Sequence, residues 1–118
     1  MEEVKSAGFA ALHLQPETEK ALQKMGFTAP TPIQEKTIPI MMEGRDVIAK
    51  APTGTGKTCA FGIPLIECLD TSLTNVQALV ICPTRELCLQ IADDLRRLTA
   101  YRPDIRVVAI YGGQPLPK

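Results

Sequence analysis

The sequence predicts an α/β protein in which a parallel sheet is flanked by helices, and three observations carry that prediction. Strand-like and helix-like stretches alternate: 46–50, then roughly 57–69, then 78–82, then a helix opened by Thr84, then 105–111. Ala78-Leu79-Val80-Ile81-Cys82 is apolar without a break, as a strand buried on both faces of a parallel sheet requires. A Gly/Thr-rich turn, 51–56, sits between the first strand and its helix. Strand-helix-strand-helix-strand order implies right-handed crossovers, with ligands at the C-terminal edge of the strands.

That turn continues into the helix as Ala51-Pro52-Thr53-Gly54-Thr55-Gly56-Lys57-Thr58, a phosphate-loop pattern with Ala51 in place of the usual first Gly. Gly54 and Gly56 let the backbone curl so that successive N–H groups face an anion. The helix that follows adds its free N-terminal donors and the positive end of its dipole. Lys57 can set a compact charge on the β- and γ-phosphates, and the Thr58 hydroxyl can ligate magnesium. Average residue usage gives a chance match in about one chain in a hundred of this length. The strand before it and the helix after it argue further against accident, and the pattern predicts a bound nucleoside triphosphate.

Composition bounds what else the chain can be. Its 118 residues are 45% apolar and 22% charged, with thirteen basic side chains against thirteen acidic ones. A zero net charge offers no overall field for nucleic acid, so any such site depends on local placement. Apolar runs are far too short to span a bilayer and the N-terminus has no signal pattern, which predicts a place inside the cell, the cytoplasm first and the nucleus as the alternative. Cys59, Cys68, Cys82 and Cys88 lack C-x-x-C spacing and fall mainly on segments expected to be buried. They read as reduced core thiols, with no metal or disulfide role. His13 stands alone and reads as structural.

Three regions follow from the chain in order. Residues 1–15 are irregular, with Phe9 their one large apolar side chain. Residues 16–44 hold two helices. The first opens at Pro16 with Glu17 and Glu19 in its acidic first turn, buries Ala21, Leu22 and Met25, and stops at Gly26. The second opens on Thr31-Pro32-Ile33-Gln34, a capping box with Pro at N1, is kinked by Pro39 and stops at Gly44. Residues 45–118 form the nucleotide-binding core. There Thr84 caps a helix with Glu86 in its first turn and Leu87, Ile91, Leu95 and Leu98 facing inward. Gln90, Asp93, Asp94 and Arg97 face water, Arg102-Pro103 closes that helix, and Gly112-Gly113 turns the chain after the third strand.

Gly26-Phe27-Thr28-Ala29-Pro30-Thr31-Pro32-Ile33-Gln34, the phosphate loop, Pro83-Thr84-Arg85-Glu86-Leu87 and Gly112-Gly113 occur in that order. Together they resemble the N-terminal half of the first RecA-like domain of a DEAD-box RNA helicase, from about Phe9 to Gly113. The resemblance implies a P-loop NTPase fold of the RecA-like type, truncated at Lys118.

Each further motif has a plainer explanation beside it. A capping box alone accounts for Thr31 and Gln34, although a Gln amide can also read adenine N6 and N7 as a donor–acceptor pair. The resemblance implies the second role: the segment looks like the family's Q motif, with Phe27 and Thr28 beside the nucleotide. Phe9, seventeen residues before Gly26, would then pack on the base. Pro83-Thr84-Arg85-Glu86 is equally a strand end with a capped helix, yet a helix N-terminus with a hydroxyl and a guanidinium suits a backbone phosphate. In the family the similar segment grips single-stranded RNA, which implies RNA contacts for Thr84 and Arg85, with Glu86 orienting them. A Gly pair is usually only a turn. In the family such a pair lets the backbone approach RNA, which Gly112 and Gly113 match. Backbone contacts carry little base information, so binding without sequence preference is implied.

The family's Asp-Glu-Ala-Asp and Ser-Ala-Thr motifs do not occur in these 118 residues, nor does a second RecA-like domain. Phosphoryl transfer rests on positioning and charge neutralisation, and most of those parts are in the motifs not found here. The expectation is an ATP- and Mg²⁺-binding piece of an ATP-dependent RNA helicase that barely hydrolyses ATP by itself and leaves a sheet edge open to self-association. Its rivals are a DNA helicase sharing the phosphate loop, a P-loop kinase, which would not need the Gln34 segment, and a truncated interaction scaffold.

Overall fold

Helix boundaries fall where the local chemistry puts them. The computed structural model describes residues 9, 12–50 and 57–112 and shows four helices among them: α1 (Pro16–Lys24), α2 (Pro32–Met42), α3 (Lys57–Glu67) and α4 (Arg85–Leu98). Pro16 stands at the start of α1 with Glu17 and Glu19 in the first turn. Gly26, at φ +92°, ends it in a left-handed turn, with Phe27 N–H donating to Leu22 O at 3.0 Å. The expected capping box is present on α2: Gln34 N–H donates to Thr31 Oγ1 at 3.5 Å, and Thr31 N–H donates to Gln34 Oε1 at 3.0 Å. Pro39 is accommodated inside α2, which runs on to Met42 before Gly44 turns at φ +83°.

What caps α1 comes from far along the chain. Gln15, at its N-cap position, gives no side-chain cap. Instead the Glu67 carboxylate, at the last residue of α3, accepts Gln15 N–H at 3.0 Å and the Thr18 hydroxyl at 2.6 Å. A carboxylate there offsets both the orphan donors and the positive end of the α1 dipole. Arg102 extends the link by donating to Gln15 Oε1. On the outer side of α1, Lys20 and Lys24 lie over the Tyr101 ring, 4.7 and 6.0 Å from its centroid.

The core is built around α3. Its Cys59, Ala60, Gly62, Ile63, Pro64 and Ile66 are buried. Of these, Cys59, Ile63 and Ile66 meet Leu22 of α1, Ile38 of α2, Leu95 and Leu98 of α4, and Phe9 and Leu14 from the N-terminal segment in one apolar cluster. The Thr37 hydroxyl of α2 lies 2.8 Å from Ile33 O and 3.4 Å from Ala60 O of α3, which satisfies a buried hydroxyl. α3 and α4 approach closely at Gly62: a Cβ there would lie 2.9 Å from Leu95 Cδ2 and 3.1 Å from Leu98 Cδ1.

Three expectations differ from what is observed. Among the described residues no strand is assigned, and 46–50, 78–82 and 105–111 run outside regular structure. A strand exists by its pairing, and these segments form no ladder, although exposure still alternates along 105–111. Ile105, Val107, Ala109 and Tyr111 are half-buried while Arg106, Val108 and Ile110 are exposed. Val80, Ile105 and Val107 pack against the helical core, but Ile48, Leu79 and Ile81 are 99%, 80% and 86% exposed, so the run at 78–82 is covered on one side only. In α4, Leu87 is exposed rather than inward-facing, and the buried positions are Ala92, Leu95 and Leu98. That helix also ends earlier than Arg102-Pro103. The Thr99 hydroxyl donates back to Leu95 O at 3.0 Å, competing for the carbonyls that a further turn would use.

The Gly62 contact predicts that Gly62→Val, which puts a branched side chain into Leu95 and Leu98, destabilises the protein by about 1–3 kcal/mol. Denaturant melts would show it as a lower midpoint, and an unchanged midpoint would mean that the two helices separate freely.

Candidate functional site

The nucleotide-facing residues expected from sequence divide between what the structure describes and what it does not. Thr53, Gly54, Thr55 and Gly56 lie outside the described residues, as does Gly113. Lys57 and Thr58 open α3, with Lys57 exposed and Thr58 half-buried. The helix is anchored immediately behind them by Cys59, which is 2% exposed. Burial, followed by the negative charge of Asp94, pushes the Cys59 thiol up to about 12, so it stays neutral and inert. Among the described residues no group of three or more His, Cys, Asp or Glu is placed to hold a metal. Magnesium in a nucleotide site keeps waters and phosphate oxygens and needs little from the protein. Thr58 is the hydroxyl available for it.

The Gln34 segment lies along the same helix. α2 packs on α3 through Ile38, Ile63 and the Thr37–Ala60 contact. Gln34 is fully buried and serves as the cap described above. Phe9 is 8% exposed and belongs to the apolar cluster; Phe27 packs against that cluster half-buried, and Thr28 is exposed.

The other group converges more plainly. Pro83, Thr84 and Arg85 line one cleft of about 380 Å³ together with Gly112. Thr84 caps α4, its hydroxyl accepting Leu87 N–H at 3.1 Å. The Arg85 guanidinium lies over the Tyr111 ring, 4.7 Å from the centroid. This fixes a cation at a helix N-terminus, a combination suited to a phosphate. Glu86 is exposed and does not line the cleft. Tyr111 is the member that sequence reading missed; an aromatic directly before the Gly pair was the available signal. A larger open cleft of about 680 Å³ between α1 and α4 holds none of the expected residues, and its Arg96 and Arg97 pair with Asp93 and Asp94 at 3.6 and 3.7 Å.

Comparison with known proteins gives this geometry a setting. The family model described as DEAD/DEAH box helicase matches residues 31–118. An ATP-dependent RNA helicase CshA of Listeria monocytogenes is 48% identical over 110 residues, covering 93% of this chain and 21% of that protein. The chain thus spans about a fifth of the length of the curated relatives it matches. A hypothetical ATP-dependent RNA helicase from Sulfolobus tokodaii is similar in structure, with a TM-score of 0.76 and 39% identity over 86% of this chain and 29% of its own. The RNA helicase Prp28 from Chaetomium thermophilum, solved with ADP, gives a TM-score of 0.80 at 34% identity, over 94% of this chain and 28% of its own.

Because burial holds the Cys59 thiol neutral, its stabilising contribution is complete below its ordinary value of 9.0 and is lost as pH rises from there towards about 12. Stability measured across pH 9–12 should fall more steeply in the native sequence than in Cys59→Ala. Parallel profiles would show that the thiol is not held neutral.

Proposed function

The chain belongs to the DEAD/DEAH box helicase family, and on that premise we propose that it is the ATP-binding part of an ATP-dependent RNA helicase. In this reading the whole protein couples ATP binding and hydrolysis to local unwinding of RNA duplexes. Gly54, Thr55 and Gly56, preceded by Thr53, wrap the phosphates, Lys57 neutralises them and Thr58 ligates Mg²⁺. Bound ATP supplies the phosphoryl group whose hydrolysis drives the cycle. Gln34 selects adenine, with Phe9, Phe27 and Thr28 near the base. Thr84 and Arg85, with Pro83 and Glu86 beside them, hold the RNA backbone, and Gly112 and Gly113 let it approach. By itself the chain binds nucleotide with little hydrolysis.

The observation that carries this reading is the meeting of Pro83-Thr84-Arg85 with Gly112 in one cleft at the start of α4. Such a cationic cleft, lined apart from the Lys57 end of α3, has no purpose in a simple kinase and suits a polynucleotide backbone. The ADP carried by the structurally similar Prp28 supports an adenine nucleotide at the other end. Partners follow from the exposure of the apolar side chains Ile48, Leu79, Ile81, Val108 and Ile110. It supports coverage by further parts of a RecA-like domain, beyond which a second RecA-like domain would close over ATP and RNA. Self-association of the isolated chain through the same region is the alternative. No described helix is long and apolar enough to cross a membrane; a cytoplasmic place in the cell is part of the proposal.

Calorimetric titration with ATP, ADP and GTP tests the nucleotide half. ATP and ADP should bind, Lys57→Ala should weaken both at least tenfold, and Gln34→Ala should erase preference over GTP. Equal affinity for GTP in the native sequence would leave Gln34 as a helix cap only. For the RNA half, Arg85→Ala should weaken single-stranded RNA binding uniformly across sequences and lower the slope of log affinity against log salt by about one. An unchanged slope would remove Arg85 from the interface.

A further inference from the structure

The cleft beside Arg85 holds chemistry that phosphate binding does not use. Two of its lining residues are Cys82, at the end of the apolar run, and Cys88, in the first turn of α4. Their spacing has no dithiol signature in sequence, but the bend at Pro83-Thr84 brings both residues to the wall of the same cleft, near enough for Cys88 to act on the Cys82 thiol. Cys88 Sγ lies 3.9 Å from Ile110 O, its acceptor on the opposite wall. Both thiols are half-buried, so they are reachable from solvent, whereas Cys59 is buried and Cys68 is exposed; all four are free.

We propose that Cys82 and Cys88 form a reactive dithiol, closed to an intramolecular disulfide by small-molecule disulfides of the oxidised-glutathione class, and that closure weakens nucleic-acid binding in the adjoining cleft. The second clause rests on the reading of that cleft given above; the first does not. Partial burial, and then the neighbouring Cys88 thiol, hold the Cys82 thiol above its ordinary range, so the first attack falls to Cys88. The Cys88 thiolate attacks one sulfur of the oxidant, whose S–S bond breaks and whose other half leaves as a thiolate and takes up a proton. Cys82 then gives its proton to solvent and attacks the Cys88 sulfur, expelling the second half of the oxidant as a thiol. Two protein thiols are oxidised by two electrons and one disulfide is reduced to two thiols. Bonding draws the sulfurs to about 2 Å, which pulls the 82 end of the apolar run against the first turn of α4 and narrows the space between Thr84, Arg85 and Gly112.

The experiment incubates the reduced protein with oxidised glutathione, blocks the remaining thiols by alkylation and maps the peptides by mass. A peptide pair joined through Cys82 and Cys88, reversed by dithiothreitol, is expected as the main product. Cys82→Ser and Cys88→Ser should each give a glutathione adduct on the remaining member of the pair in place of the cross-link. Adducts mainly on Cys68, or separate adducts on Cys82 and Cys88 without the cross-link, would overturn the dithiol. Affinity for a poly(U) RNA, measured on the same samples, should drop at least tenfold on oxidation and recover on reduction, with no response to oxidant in either Ser variant. An oxidised form that binds as tightly as the reduced one would overturn the coupling. A reduced protein that binds no RNA, yet forms the cross-link, would refute the interface while leaving the dithiol established.

Discussion

Among the described glycines, the tight approach is that of α3 and α4 at Gly62, where no Cβ could sit without moving Leu95 or Leu98. Everything of chemical interest hangs from these two helices. α3 begins with Lys57 and Thr58, and α4 begins with Thr84 and Arg85. Because protein interiors are as dense as crystals, two helices in this contact move together or not at all. The two helix starts are therefore held at a set separation by residues that touch neither ligand. Glycine stands at 62 for its missing side chain; in a helix interior it otherwise costs up to about 1 kcal/mol.

Around that pair the rest of the chain acts as a clamp. α2 lies along α3, and α1 is tied to the far end of α3 by Glu67. A carboxylate at the C-terminal end of one helix faces a negative dipole end, which is unfavourable by itself. It is redeemed by the positive end of α1, whose first donors have no other cap. One side chain thereby settles two helix termini and fixes the N-terminal segment, with Phe9 and Leu14, onto the core.

Local chemistry was legible and long-range chemistry was not. The Thr31 and Thr84 caps, the Gly26 and Gly44 stops and the inward face of α4 at Leu95 and Leu98 are written within a few residues of where they act, and they appear as read. Glu67, Tyr111 and the meeting of Cys82 with Cys88 depend on chain segments brought together only by folding, so no spacing rule exposed them. The apolar run at 78–82 stands unpaired among the described residues for a related reason. Continuous hydrophobicity reports how many faces a segment is suited to bury, and here only the Val80 side has a partner among the described residues. The exposed Leu79 and Ile81 remain a statement about a surface that the described residues do not supply.

Gln34 shows how a cap and a recognition role can share one side chain. A carboxamide oxygen carries two lone pairs, and the 3.0 Å bond from Thr31 N–H uses one of them. Reading adenine needs one acceptor position and one donor, so the capping box does not consume the capacity for it. What it does is fix the amide: with Oε1 held toward the start of α2, the NH₂ group is directed the opposite way, and the oxygen-nitrogen order that a purine edge would meet is set. The obstacle is access, because the side chain is fully buried and Phe9 is packed into the core beside the same helices. Nucleotide binding through Gln34, as proposed, therefore requires that the side chain first be uncovered, while the α3–α4 contact at Gly62 can stay as it is.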